Sequence, residues 1–372
     1  MCKVKLMPKR RALTLHLLSV LLLAVVSFST ADLARSNPGL YAPPVLKIYI
    51  TSNGNIEPLT NSIQRVGEVY RLKENLRNTT ITIQCDNIVL DGAGFILSGY
   101  GNQWYYGISL SNKANVTIKN FYIKDFGKGI SIVDSSLVTV VGNKIYCNVG
   151  VALTSSNYSR ILANTLQCSD PLHGYGVYNL RSYHNTVKGN SFADFGACVK
   201  LQSGGNNVIL ENQFDGSTAG VYLNKDNSSR VYRNNFLDNK ENALILAVDS
   251  LQLDNGKEGN YWSDYTGKDG NGDGIGDTRY AANLHFFDNH PFIKPIALSI
   301  PNISLKPQSS ATPSPTPLLP NENSSNPVLP QENKAQTKPE PFPTTMVVAS
   351  AGLSAAIVTS VSLVFYFKKR KH

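Results

Sequence analysis

The 372-residue chain predicts an all-β solenoid, a stack of coils each making one turn, on three observations. Asparagines recur at Asn120, Asn143, Asn164, Asn190, Asn212 and Asn234, with spacings of 23, 21, 26, 22 and 22. Each is followed two residues later by a large apolar or aromatic residue: Tyr122, Ile145, Leu166, Phe192, Phe214 and Phe236. A second series interleaves at the same period: Gly107-Ile108, Gly129-Ile130, Gly150-Val151, Gly176-Val177, Cys198-Val199, Gly220-Val221 and Ala243-Leu244. A period near 22 with two short β-rich runs per repeat implies one coil per repeat. No coil buries its apolar side alone, so the stack is the folding unit.

The elements follow in order. Residues 1–31 read as a secretory signal peptide, with a basic start from Lys3 to Arg11, an apolar run from Ala12 to Phe28 and a small-residue site at Ser29-Thr30-Ala31. Residues 32–80 precede the repeat; strands are expected at 45–50 and 68–72, and the segment is expected to cap the first coil. The parallel β-helix is expected over 81–254. Runs at 116–118, 138–140, 160–162, 186–188, 208–210 and 230–232 supply one sheet, and the Gly-apolar runs supply another. About seven coils at ~4.8 Å would make a rod of roughly 35 Å. Residues 255–296 are a Gly/Asp-rich C-terminal cap, and 297–343, with eleven prolines, a disordered linker. Residues 344–367, which carry no charge, are long enough for one transmembrane helix. The basic tail at 368–372 then lies in the cytoplasm, giving a single-pass type I protein with its body on the cell surface.

Charge excludes one class of partner. Of 35 basic residues, nine sit in the two terminal tails, which leaves 26 basic against 26 acidic residues and no net charge in the body. No basic stripe remains to neutralise phosphates, so no nucleic-acid partner is expected. Sequons at Asn78, Asn115, Asn157, Asn227, Asn302 and Asn323 fit an exported glycoprotein. Cys147 and Cys168 each lie four residues after a repeat asparagine and should stack on adjacent coils, as a disulfide or as two buried thiols. Cys198 takes the glycine position of its coil, and Cys85 has no evident partner.

The runs Asn87-Ile-Val-Leu-Asp-Gly-Ala-Gly94, Asn115-Val-Thr-Ile-Lys-Asn120 and Asn260-Tyr-Trp-Ser-Asp-Tyr265 resemble the NosD-type right-handed parallel β-helix proteins, whose unit is the PbH1 repeat. Asp273-Gly-Ile-Gly-Asp277 and Asp288-Asn-His-Pro291 are similar to that family too. The resemblance covers roughly residues 45–296. It implies a right-handed single-stranded β-helix with three sheets per coil and buried asparagine ladders. It implies function more weakly: the family name comes from a periplasmic copper-linked protein, and the same repeat occurs in carbohydrate-binding proteins and sugar-active enzymes.

Two coils carry insertions in the same turn, Gly99–Tyr106 and Ser169–Tyr175. They should lie on one side of the rod, three coils apart, with Asp125, Lys128 and Asn148 between them. Trp104, Tyr105 and Tyr106 at one end and Asp170, His173 and Tyr175 at the other suit a saccharide, whose C–H faces stack while its hydroxyls take hydrogen bonds. The same aromatics folding back over the first coils is the structural alternative. Asp194, Asp215 and Asp238 fall at nearly equivalent turn positions, as calcium or acid–base carboxylates or as plain turn formers. The polygalacturonase-type combination of paired Asp, Gly-His-Gly and Arg-x-Lys is not present as a set. Asp170-Pro-Leu-His173 has one residue more than the Asp-Pro-His of β-helix alginate epimerases.

Asp269, Asn271, Asp273, the Ile275 carbonyl and Asp277 follow a Ca2+-loop pattern and predict a structural ion. Tyr280 stands where an EF-hand has its bidentate Glu, so a further ligand from Asp264 or Asp288 is expected. Copper is not favoured, since His173, His184, His285 and His290 have no compact ligand spacing and thioether clusters are absent. The expected function is a non-catalytic module that binds or scaffolds surface polysaccharide or glycoprotein. The alternatives are a carbohydrate-active enzyme (lyase, hydrolase or epimerase) using the side groove, and copper delivery.

Overall fold

A computed structural model describes residues 45–170 and 173–300, the side chains of 102–104 excepted. The expected signal, most of the linker with Asn302 and Asn323, the apolar span, the basic tail and the Trp104 side chain lie outside the described residues. So do Pro171 and Leu172.

Among the described residues the chain is a parallel β-solenoid of about nine turns without a helix. Each regular coil supplies three strands. The coil at 139–154 shows the pattern: Thr139–Val141, then Lys144–Cys147, then Val149–Thr154. First strands stack into a ten-stranded sheet; second and third strands form two rows within a seventeen-stranded sheet. Nine of the ten first strands, from Val69–Leu72 to Leu251–Gln252, follow one another in parallel. At ~4.8 Å per step they extend on the order of 40 Å. Parallel pairing starts before the sequence repeat does, because Leu46–Ile50 already lies in register on Thr79–Ile83.

The core is a set of columns. Ile118, Val140, Ile161, Val187, Ile209 and Val231 form the buried centre of the first-strand sheet. Phe192, Phe214, Phe236 and Trp262 form an aromatic column, with centroids 5.3, 4.9 and 4.3 Å apart, which Tyr280 extends at 4.4 Å. The glycine series faces this column. A methyl group on Gly176 would meet Phe192 and the Cys198 carbonyl at 2.4 Å each, so only a hydrogen fits there. Register assigns the last position of this series to Asn242, not Ala243, because Ala243 pairs with Val221.

The asparagine ladder is present but shifted at both ends. Asn143 donates its backbone N–H to Asn164 Oδ1, and the pattern repeats from Asn164 to Asn190, Asn212, Asn234 and Asn260 at 2.9–3.1 Å. Asn120 is not a member. Its side chain is exposed and donates to Asp91 Oδ1, while Phe121 holds the ladder position and donates its N–H to Asn143 Oδ1. The sequence spacing placed Asn120 one residue out of phase; Tyr122 is accordingly half-buried, and Ile123 is the core residue. The ladder ends on Asp288, whose Oδ2 accepts the Asn260 N–H at 2.7 Å and Trp262 Nε1–H at 2.8 Å.

Candidate ligand-binding face

The outward positions of the third-strand row carry the most distinctive surface chemistry. Register places Tyr106, Lys128, Val149, Tyr175 and Ala197 in one column on successive coils. The next outward column runs Ala152, Tyr178, Lys200, Tyr222 and Leu244. Side chains at these positions alternate away from the core because the strand period is two. Lys200 Nζ lies 4.6, 4.9 and 5.4 Å from the ring centroids of Tyr175, Tyr222 and Tyr178, and donates to Tyr175 Oη at 3.3 Å. Lys128 Nζ lies 5.2 Å from the Tyr106 centroid.

Tyr106, Lys128 and Tyr175, expected on one side of the rod, fall in one column, whereas Tyr178, Lys200 and Tyr222 were not among the expected residues. A signal for them existed, since each directly follows the buried valine of its repeat, Val177, Val199 or Val221, and therefore points outward. Other expected members stand differently. The first insertion is not a loop: Ile96–Ser111 is one continuous strand along Tyr122–Val133, with register shifts around Phe126 that absorb the extra residues. Tyr105 and Tyr106 are exposed on it. Asp125 pairs with Lys124 at 3.2 Å and falls at the register shift between Lys124 and Phe126, outside the Lys128 column. Asp170 and His173 form no ion pair; a backbone hydrogen bond of 3.4 Å from His173 N–H joins them.

These three-strand coils with their amide ladder match a known group along most of the described length. The profile of the periplasmic copper-binding protein NosD matches residues 48–171 and 73–267, more than half of the chain. The chain belongs to the NosD family. Probable ABC transporter binding proteins NosD from Stutzerimonas stutzeri and Pseudomonas aeruginosa are 28% and 27% identical over 141 and 161 residues. These alignments cover 34% and 40% of this chain, which spans about a third (32% and 33%) of the length of those relatives. Similar solved structures include a periplasmic alginate epimerase, AlgG, at 12% identity and TM-score 0.32, covering 55% of this chain and 82% of that one. A DFA-IIIase from Arthrobacter chlorophenolicus is 16% identical with TM-score 0.35, covering 50% and 54%.

On this NosD-family coil the turn between second and third strands carries the acids. Asp194 and Asp238 share a column with Gly216 and Asp264, whereas Asp215 pairs with Ala193 and Leu237 and sits one residue earlier. The three expected carboxylates are therefore not aligned; a local one-residue offset was invisible in the spacing. Burial first, then the charges of Asp238 and Asp194, push the Asp215 carboxyl above its ordinary range. Asp238, Lys240 and Asp264 border an open groove of about 700 Å3 at the C-terminal end of this row.

The Asp269–Asp277 loop closes on its own amides. Asp269 accepts the N–H groups of Gly274, Gly272 and Asp273, which hold its carboxyl below the usual range despite slight desolvation. Asp277 accepts Gly270 N–H at 2.8 Å, and Asp273 accepts Ile275 N–H at 2.8 Å. The oxygens are of the kind Ca2+ takes, but no three His, Cys, Asp or Glu gather around a metal-sized space among the described residues. Holding an ion there exchanges amide contacts for metal–oxygen ones. Asp288 is committed to the ladder, and Asp264 accepts hydrogen bonds from Asn242 and Tyr280.

Cys147 and Cys168 are in register on adjacent coils, as their spacing predicts, and both are free thiols. Burial pushes the Cys147 and Cys198 thiols up to about 12, which suppresses the thiolate that metal binding needs. Exposed His184 stacks on Tyr158 at 5.0 Å, and His290 Nδ1 lies 3.4 Å from Asp254. His285, between Leu284 and Phe286, is exposed. Asn115 is exposed, while Asn78, Asn157 and Asn227 are half-buried; Asn157 Oδ1 accepts Tyr183 N–H, and Asn227 Oδ1 accepts Asp249 N–H.

Proposed function

We propose that this protein is a non-catalytic, membrane-anchored extracellular solenoid that binds or scaffolds surface polysaccharide or glycoprotein. The supporting observation is the face bearing Tyr106, Lys128, Tyr175, Tyr178, Lys200 and Tyr222. Ring faces suit sugar C–H surfaces, and phenol and ammonium groups suit hydroxyls. Tethering at one end and a rigid coil stack would hold this face away from the membrane, with Ca2+ on the 269–277 loop as a structural ion. A glycan array probed with the purified full chain tests the reading. Binding should fall about tenfold or more in Tyr178→Ala and Tyr222→Ala; an array without signal for the native chain rejects it.

A second reading, a carbohydrate-active enzyme, draws support from Asp215. A carboxyl raised by burial beside two other acids is how a protonated general acid is kept next to ionised partners. Turnover of a defined glycan that disappears in Asp215→Asn would favour it. Copper delivery, suggested by the family's description, finds little support in the scattered histidines and protonated thiols; stoichiometric copper binding would revive it.

A further inference from the structure

We propose that the ligand of this face is an anionic polysaccharide, its carboxylate or sulfate groups seated on Lys200 and Lys128 and its sugar rings on the flanking tyrosines. This rests on the glycan-binding reading and narrows it to one chemical class.

Lys128 and Lys200 differ from the ion-paired cations of the coils in what surrounds their ammonium groups. Arg71 and Lys119 sit against Asp91, Lys124 against Asp125, Lys188 against Glu211, and Arg233 against Glu211 and Glu258. Neither Lys128 nor Lys200 has a carboxylate within 4.0 Å among the described residues; each has aromatic rings instead. A ring face attracts an ammonium through its quadrupole but carries no net charge, so the positive charge stays uncompensated. Three tyrosines around Lys200 also restrict where its ammonium sits, which lowers the ordering cost when an anion arrives. Among the described residues only one of its three N–H donors has a hydrogen-bond partner, Tyr175 Oη.

Geometry extends this to a chain-like ligand. Lys128 and Lys200 lie three coils apart, roughly 14 Å along the axis. Tyr175 belongs to the Lys128 column, two coils on with Val149 between, and touches Lys200, so an apolar and aromatic strip joins the two cations. A single small anion would fill one position only; a polymer with acidic groups at intervals engages both, and joining the two contacts raises overall affinity through effective concentration.

The test uses the purified full chain against an immobilised polyuronate, the same polymer after carboxyl reduction, a sulfated glycan before and after desulfation, and a neutral glucan. Binding should be lost when the acidic groups are removed, and the sensitive pair tells carboxylate from sulfate. Lys200→Met and Lys128→Met should each weaken binding about tenfold, the loss of one charged hydrogen bond. Lys188→Met, on the opposite sheet and paired with Glu211, should bind as the native chain does, and all three should keep the native melting temperature. Equal binding to acidic and neutral forms, or lysine variants that bind normally, overturns the anionic assignment and leaves glycan binding standing. No binding to any polymer overturns both.

Discussion

Asp226 and Asp288 are the two carboxyls that burial pushes up to about 6, in spite of hydrogen bonds from Ser229 and Asn207 to the first and from Asn260 and Trp262 to the second. Each is fully enclosed. In the unfolded chain they ionise near pH 4, so between about pH 4 and 6 the folded state binds more protons. Stability is therefore greatest at the acidic end of that window and is lost as pH rises through about 6. Asp91 acts oppositely: burial raises its carboxyl, but the Ala93 amide, Arg71 and Asn120 outweigh that, and its contribution is lost as pH falls below about 4. Urea denaturation of the native chain at pH 4.5, 6 and 8 should show falling midpoints. Asp226→Asn should remove up to about 3 kcal/mol of that fall; a variant with the native pH slope would contradict the assignment.

At the scale of elements, the ladder is what holds one coil against the next at the turn after the first strand. Asn190 illustrates the accounting. Its Oδ1 accepts the Asn164 N–H and Nδ2–H, and its own Nδ2 donates to the Ile161 and Lys188 carbonyls. With the Nδ2 contact to Asn212 Oδ1, Asn190→Ala strips five contacts and deprives buried backbone groups of two coils of these partners. The expected loss is about 1–3 kcal/mol for each group left dry, read as a lowered denaturation midpoint with an unchanged slope. A loss below about 0.5 kcal/mol, the level of an ordinary surface substitution, would mean water replaces the side chain. The ladder was readable from spacing, because a side chain that bonds its own counterpart must recur once per coil. Its ends were not. Asn120 falls at nearly the right interval, and only strand register shows that Phe121 holds the position. The terminal acceptor Asp288 lies 28 residues beyond Asn260 with no repeat to announce it.

For the whole molecule, nine turns share their stability with neighbours, so the last coil needs a cover that the repeat itself does not supply. Residues after Asn260 bring Trp262 and Tyr280 onto Phe236 and close the aromatic column. The 269–277 loop belongs to the same segment, so an ion there would stabilise the stack from its end. Adding Ca2+ at about a hundred times its dissociation constant should stabilise the full chain by about 2.7 kcal/mol, seen as a higher melting temperature that a chelator reverses. Melting curves that overlay with calcium and with chelator would leave the loop as a set of Asp and Asn turns.

Fold class, coil period, the buried columns and the pairing of Tyr106 with Lys128 and Tyr175 were all contained in the amino-acid order, because in a stack the neighbour in space is the residue one period away. Where insertions or offsets break that period, order along the chain no longer determines proximity. Tertiary structure alone turned the 99–106 insertion into a strand, moved Asp215 out of the Asp194 column and gathered three tyrosines around Lys200. These are matters of register and side-chain direction, settled by how adjacent coils pack rather than by which residues each one contains.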